Sequence, residues 1–325
     1  MARSRFLLFL LLAAPLAAGA PLLVGCAPEV LRPIRSQALD TAGPVPDVVV
    51  VAVSGRCGPP CQAPYDNWDY LSARGTLDAV AGVLSAQGLR TQVAGYASGA
   101  PLSWTSRKAP GVQRGYAALL RDMAAMQAAW FGPERRAVGV RPPRLVLLGH
   151  SQGSVWLHHF VQTHPELPVA LQIDLDGICI AWALDHGPEL AATRLDRPGQ
   201  PRAADACDLR RAAGRQVRGK DLVWDNVARD LEVQSKRLPS GLSAGGGLYV
   251  NYLFEVTPNL RPDGSSAGIE RFVSAREDHS AVSYPGSDAV AWVLRRTAAI
   301  AAGWKTPDPA PSGPVARPPA AAPAP

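Results

Sequence analysis

The chain has 325 residues, 47% hydrophobic and 18% charged, a globular balance that excludes disorder as the main state. Its 30 Gly and 31 Pro follow no Gly-X-Y period, which excludes a collagen-like rod. The formal charge of +6 falls to about +4 without Arg3 and Arg5, and the other basic residues are scattered, so no nucleic-acid partner is expected.

In chain order, residues 1–25 read as an export signal. Arg3 and Arg5 form a basic start, and Phe6 to Ala20 an apolar run broken by Pro15. Leu23-Val24-Gly25-Cys26 resembles the lipobox of bacterial lipoproteins, which implies that Cys26 becomes the first mature residue and carries a lipid. Ala18-Gly19-Ala20 is a competing cleavage site, though Pro21 would follow the cut. The expected location is the bacterial cell envelope, held to a membrane through Cys26, or the medium if the lipid is absent. Residues 26–46 read as a linker and 47–305 as one large domain. After position 25 no apolar span reaches about 18 residues, so a polytopic membrane protein is excluded.

Val48 to Val53 are six apolar residues in a row, most simply a strand buried on both faces of a parallel sheet. Ser54 to Cys61, rich in Gly and Pro, then forms a loop. Thr76 is placed to cap a helix containing Leu77, Val80, Val83 and Leu84, and Thr91 to Ala97 reads as a second strand. Val112, Tyr116, Leu119, Leu120, Met123, Met126 and Trp130 recur at helical spacing, which predicts a helix over 112–131. Arg144 to Leu148 reads as a strand, Gln152 to Thr163 as a helix stopped before Pro165, and Val169 to Leu175 as a strand. Residues 181–245 have little apolar period and read as an insertion, either a lid or a peripheral decoration. Gly247 to Val256 and Arg271 to Ala275 are further strand candidates, and Ser287 to Ala302 a closing helix. Eight of the last 20 residues are Pro, so 306–325 reads as a loose tail. Strands alternating with helices imply βαβ units and a mostly parallel sheet flanked by helices, an α/β fold.

With Cys26 set aside, Cys57, Cys61, Cys179 and Cys207 form an even set in an exported chain, which points to two disulfides. Of three pairings the local one, Cys57–Cys61 with Cys179–Cys207, is favoured. No His stands nearby at ligand spacing, so no metal site is expected.

The chemistry centres on Gly149-His150-Ser151-Gln152-Gly153. This G-x-S-x-G pattern lies between the strand Leu145 to Leu148 and a helix, the strand–turn–helix context of a nucleophile elbow. A serine nucleophile needs a base. His158, His159 and His164 ride the helix away from Ser151, His186 lies in the insertion, and His150 is expected to point away from its neighbour, which leaves His279. The acid should fall between Ser151 and His279. Asp263, in a Pro-Asp-Gly turn 16 residues before His279, is the first choice; Asp176 is the rival and Asp225 the third, while Asp278 adjoins the base and is set aside. The oxyanion hole should combine the Gln152 N–H with one from Ser54, Gly55 or Arg56, and Gly55 is the working choice.

These residues resemble an exported α/β-hydrolase, and Gly-His-Ser-Gln-Gly is similar to the Gly-Tyr-Ser-Gln-Gly elbow of cutinases. The resemblance covers about 47–180 and 247–302. It departs in the insertion and in lacking the Cys that usually flanks a cutinase acid, so cutin itself does not carry over. It implies a monomeric serine esterase that forms an acyl-enzyme from esters, with an apolar acyl group expected and no cofactor. An amidase, peptidase or thioesterase would share the fold, and a surface binding protein on a dead hydrolase scaffold is the alternative outside enzymes.

Overall fold

A computed structural model describes residues 38–58, 61–132, 141–235 and 257–305, with a few single positions between 133 and 140. The expected signal with Cys26, the strand expected at 247–256 and the Pro-rich tail lie outside the described residues.

The apolar run forms strand β1 (Val48–Val53), and all six residues are buried. A strand without a polar face must be covered on both sides. Val49, Val51 and Val53 join a cluster with Leu119, Met123, Val155, Trp156 and Phe160 on one side. Val48, Val50 and Ala52 join another with Leu77, Val80, Leu84, Val290 and Val293 on the other. Each buried Val contributes about 1.5–3 kcal/mol, so this strand is the centre of a stable platform.

The chain continues through helices α1 (Tyr70–Ala73) and α2 (Thr76–Ala86) to β2 (Thr91–Tyr96). A small hairpin, β3 (Ser103–Thr105) and β4 (Val112–Arg114), precedes α3 (Tyr116–Met126), which runs on as a π-turn, Gln127–Phe131. Then come β5 (Arg144–His150), α4 (Gln152–Thr163), β6 (Val169–Leu175) and α5 (Trp182–Ala192). A second hairpin, β7 (Leu209–Ala212) and β8 (Arg215–Arg218), leads to β9 (Asp230–Ser235), β10 (Ile269–Ser274) and α6 (Asp288–Ala302). Six strands make one sheet in the order β10-β9-β6-β5-β1-β2, every pair parallel. The chain steps from β1 out to β2, then returns to β5 on the other side of β1. The helices that follow β1 and β5 therefore pack on opposite faces of the sheet, which makes the carboxyl ends of these two strands its topological switch point.

The helix predicted over 112–131 begins only at Tyr116. Gly111 turns the chain with φ 86°, and Val112 to Arg114 pair with Ser103 to Thr105 instead, leaving Val112 60% exposed. Thr76 is not the cap of α2: Gly75 holds that position with φ 82°, and Thr76 Oγ1 donates to the Ser283 carbonyl (2.6 Å). The span 181–245 is not all insertion. α5 packs Trp182 and His186 against Trp156 of α4, and β9 is a fully buried strand of the main sheet. Charge hid β9 in the sequence, because its Asp230 and Glu232 are buried with partners: Asn259 Nδ2 donates to Asp230 (3.0 Å) and Arg271 Nε to Glu232 (2.5 Å). The disulfides are Cys57–Cys61 and Cys179–Cys207. Among the described residues no helix is long and apolar enough to cross a membrane.

Candidate active site

Ser151 sits where β5 turns into α4, at the switch point beside β1. Its backbone is forced to φ 59° and ψ −130°, a region a residue with a Cβ seldom occupies. The turn is that tight because strand and helix nearly touch. A Cβ on Gly149 would lie 2.6 Å from Ser154 Cα, one on Gly153 would strike the Val53 carbonyl, and one on Gly55 would strike Ser151 Cβ. Small residues here are a steric requirement.

His279 arrives from the loop between β10 and α6. That loop is pinned by Glu277, whose carboxylate accepts the N–H groups of Asp288 (2.5 Å) and Ala289 (3.1 Å) at the start of α6. His279 Nε2 lies 3.0 Å from Ser151 Oγ, and Nδ1 lies 2.7 Å from Asp176 Oδ2. A carboxylate only accepts, so Nδ1 carries the proton and Nε2 accepts from the serine hydroxyl. Asp176 caps the end of β6 with φ 52° and is oriented by the end of β9: Ser235 N–H donates to Oδ1 (2.8 Å) and Ser235 Oγ to Oδ2 (2.6 Å). Burial works against ionising Asp176, but the bonds from His279 and Ser235 outweigh it and hold the carboxyl below its usual range. A row of this kind can take a proton from the serine as it attacks and return it to a leaving group.

This is the α/β-hydrolase architecture. A parallel sheet with its helices on both faces puts a strained serine at the switch point, and later loops bring a histidine and a carboxylate to it. No protein-family model matches the chain, and no curated protein matches it. Solved structures similar to it include one of LipS and LipT, metagenome-derived lipolytic enzymes, at 15% identity and TM-score 0.36, covering 82% of this chain and 99% of that one. Est1E from Butyrivibrio proteoclasticus is 12% identical with TM-score 0.34, covering 81% and 90%. A Bacillus cereus carboxylesterase is 11% identical with TM-score 0.32, covering 81% and 92%. At such values the likeness carries no chemistry across to this chain.

Two expected members of the site are elsewhere. Asp263 lies in an exposed turn, where its carboxylate accepts the Ser265 N–H (2.9 Å), and His279 has Asp176 as its partner instead. Asp225 is also exposed, and Asp278 caps its own turn by accepting from Ser280 and Ala281 N–H. Gly55 cannot offer its N–H to an oxyanion, because Tyr70 Oη already accepts it at 2.7 Å. The Ser54 N–H is used as well, on the Tyr96 carbonyl (2.8 Å). Arg56 is the remaining candidate of the three, beside Gln152 at the first turn of α4.

His150 is the residue that sequence reasoning misplaced. It does not point away. Its ring stacks on His279, with centroids 4.8 Å apart, and its Nε2–H donates to the His279 carbonyl (2.7 Å). Burial pushes the Tyr70 phenol up, so it stays protonated and donates to His150 Nδ1 (2.5 Å). Burial also pushes the His150 imidazole well below its ordinary value, with the nearby His279 adding to the effect, so it stays neutral. The bonds run from Gly55 N–H through Tyr70 and His150 to the His279 carbonyl, tying the loop after β1 to the loop that carries the base. Its only sequence signal was its place inside the G-x-S-x-G pattern. Among the described residues no three His, Cys, Asp or Glu side chains converge to hold a metal.

Proposed function

We propose that this chain is an exported serine hydrolase that cleaves carboxylic esters with an apolar acyl group, using Ser151 as nucleophile, His279 as base and Asp176 as the acid that orients it. The observation that carries the reading is the unbroken row from Ser151 Oγ through the His279 ring to Asp176, at 3.0 and 2.7 Å, set on a strained elbow. Ser151 attacks the ester carbonyl while His279 takes its proton. The negative charge that develops on the carbonyl oxygen is met by the Gln152 and Arg56 N–H groups and by the amino end of α4. His279 then protonates the departing alcohol, and water, activated by the same histidine, releases the acid. Asp176 holds the Nδ1 proton in place and stabilises the imidazolium. A binding protein would have no use for a strained serine hydrogen-bonded to a carboxylate-held histidine. The export signal and the lipid on Cys26 belong to the same proposal and rest on the sequence alone.

The test is turnover of p-nitrophenyl esters from acetate to laurate beside the matching p-nitroanilides, with Ser151→Ala as control. Ester cleavage that rises with acyl length and vanishes in the variant is expected. Anilide cleavage as fast as ester cleavage would make the chain an amidase, and no turnover of either would favour the binding protein.

A further inference from the structure

The two residues left to donate to an oxyanion share one side-chain partner. Arg56 Nε donates to Asp185 Oδ2 at 2.8 Å, and Gln152 Nε2 donates to the same oxygen at 2.9 Å. Asp185 belongs to α5, and its side chain is only 3% exposed. Arg56 and Gln152 come from different loops, one after β1 and one after β5. The paired strands and the close approach of Gly55 to Ser151 hold the bases of these loops together. The buried carboxylate bonded to both side chains links the two residues directly.

We propose that Asp185 is a positioning residue that sets the oxyanion hole by clamping the Arg56 and Gln152 side chains to one carboxylate oxygen, so that α5 forms a working part of the active site. This rests on the serine-hydrolase reading. Charge-assisted hydrogen bonds are short and directional, and an oxyanion hole depends on donors already in place when the charge develops. The Gln152 side chain is committed on every side. Its Nε2 also reaches the Ile180 carbonyl (2.8 Å), and its Oε1 faces His186 Nε2 (3.0 Å) and Ser98 Oγ (3.3 Å). It has nothing left for a substrate, which leaves the backbone N–H as its contribution. The Arg56 guanidinium is likewise held in a salt bridge with Asp185, with the side chain 27% exposed. The Cys179–Cys207 disulfide brackets α5 and ties its near end to the chain beyond it.

The clamp acts on the transition state and leaves ground-state binding alone. Asp185→Asn keeps the volume and can set its amide oxygen where Oδ2 stands, but it removes the charge, so both bonds lose their charge assistance and loosen. Removing an oxyanion donor outright costs about 10²–10³ in kcat, and loosening one should cost about 10- to 100-fold. The experiment measures kcat and KM for a p-nitrophenyl ester, and the dissociation constant of an alkyl boronic acid that forms a tetrahedral adduct on the serine, for the parent, Asp185→Asn and Arg56→Ala. Glu189→Gln, on the same helix and bonded to the Ala100 N–H, controls for simple destabilisation of α5. The expected result is a kcat loss of about 10- to 100-fold in Asp185→Asn, matched by the loss in boronate affinity, with KM within about twofold. Arg56→Ala follows in the same direction, and Glu189→Gln keeps the parent kcat. A folded Asp185→Asn with parental kcat overturns the proposal. If Asp185→Asn does not fold, parental kcat and boronate affinity in Arg56→Ala overturn it. Failure of the underlying reading looks different: the parent itself would neither turn over esters nor bind the boronate.

Discussion

Replacing Asp176 by Asn changes one oxygen into an NH2 group where two donors already converge. Ser235 N–H donates to Oδ1, so the amide oxygen must stay there, and the NH2 group then faces the His279 Nδ1–H. Two donors cannot share that 2.7 Å gap. His279 is driven to the tautomer with its proton on Nε2, which no longer accepts from Ser151. Wrong-tautomer variants of this kind lose about 10³- to 10⁴-fold in kcat, or about 4–5.5 kcal/mol of barrier. Asp263→Asn keeps an acceptor for the Ser265 N–H in an exposed turn and should stay within about twofold of the parent. The assay is kcat on p-nitrophenyl butyrate, with the fold of each variant checked by circular dichroism. The Asp176 carboxyl is held below its unfolded value. Its contribution to stability is therefore fully present above about pH 4 and is lost as pH falls through the lower folded value. Activity within about tenfold of the parent in Asp176→Asn, or a severe loss in Asp263→Asn, would refute the assignment of the acid.

Further outcomes follow from buried groups and from the chain ends. Burial lowers the His159 pKa to about 4, against about 6.5 unfolded, so its contribution to stability is present above about pH 6.5 and fades as pH falls towards 4. About 2 kcal/mol of it is gone at pH 5; His159→Gln should lose less stability than the parent between pH 7 and 5 in urea melts, and equal losses would contradict this. Alkylation and mass mapping of the native protein should find Cys57 joined to Cys61 and Cys179 to Cys207. The longer loop gives the second bridge more to constrain, so Cys179→Ala with Cys207→Ala should cost about 3–4 kcal/mol against about 2 for the other pair; the reverse order would refute the loop argument. Cys26→Ser should move the protein from the membrane fraction to the soluble one, and equal retention would reject the lipid anchor.

The apolar elements of the fold were legible because a residue pattern and a burial pattern coincide in them. Val48–Val53 and Val169–Leu175 begin and end where their runs do, and α4 ends before Pro165 as its sequence requires. β9 was not legible, since its Asp230 and Glu232 look like loop residues until Asn259 and Arg271 are brought beside them from later in the chain. Val112 was drawn into the α3 period by spacing alone, and only the pairing with Thr105 shows it as strand. At the site, Ser151 and His279 could be named because one motif and an elimination among six histidines are local arguments. The choice between Asp176 and Asp263 was not local. Both satisfy the chain order, and what separates them is Ser235 at the end of the unread β9, which turns Asp176 towards the base. Gly55 failed for a similar reason, because the phenol that takes its N–H stands 15 residues further on.

The most direct test of the central claim is covalent labelling of the folded protein with a fluorophosphonate, followed by peptide mass mapping. The account predicts a single phosphonylated residue, Ser151, with labelling abolished in Ser151→Ala and slowed by orders of magnitude in His279→Ala. Folded protein that stays unlabelled, or that labels equally in His279→Ala, would contradict it and leave Ser151 as a strained turn residue without chemistry.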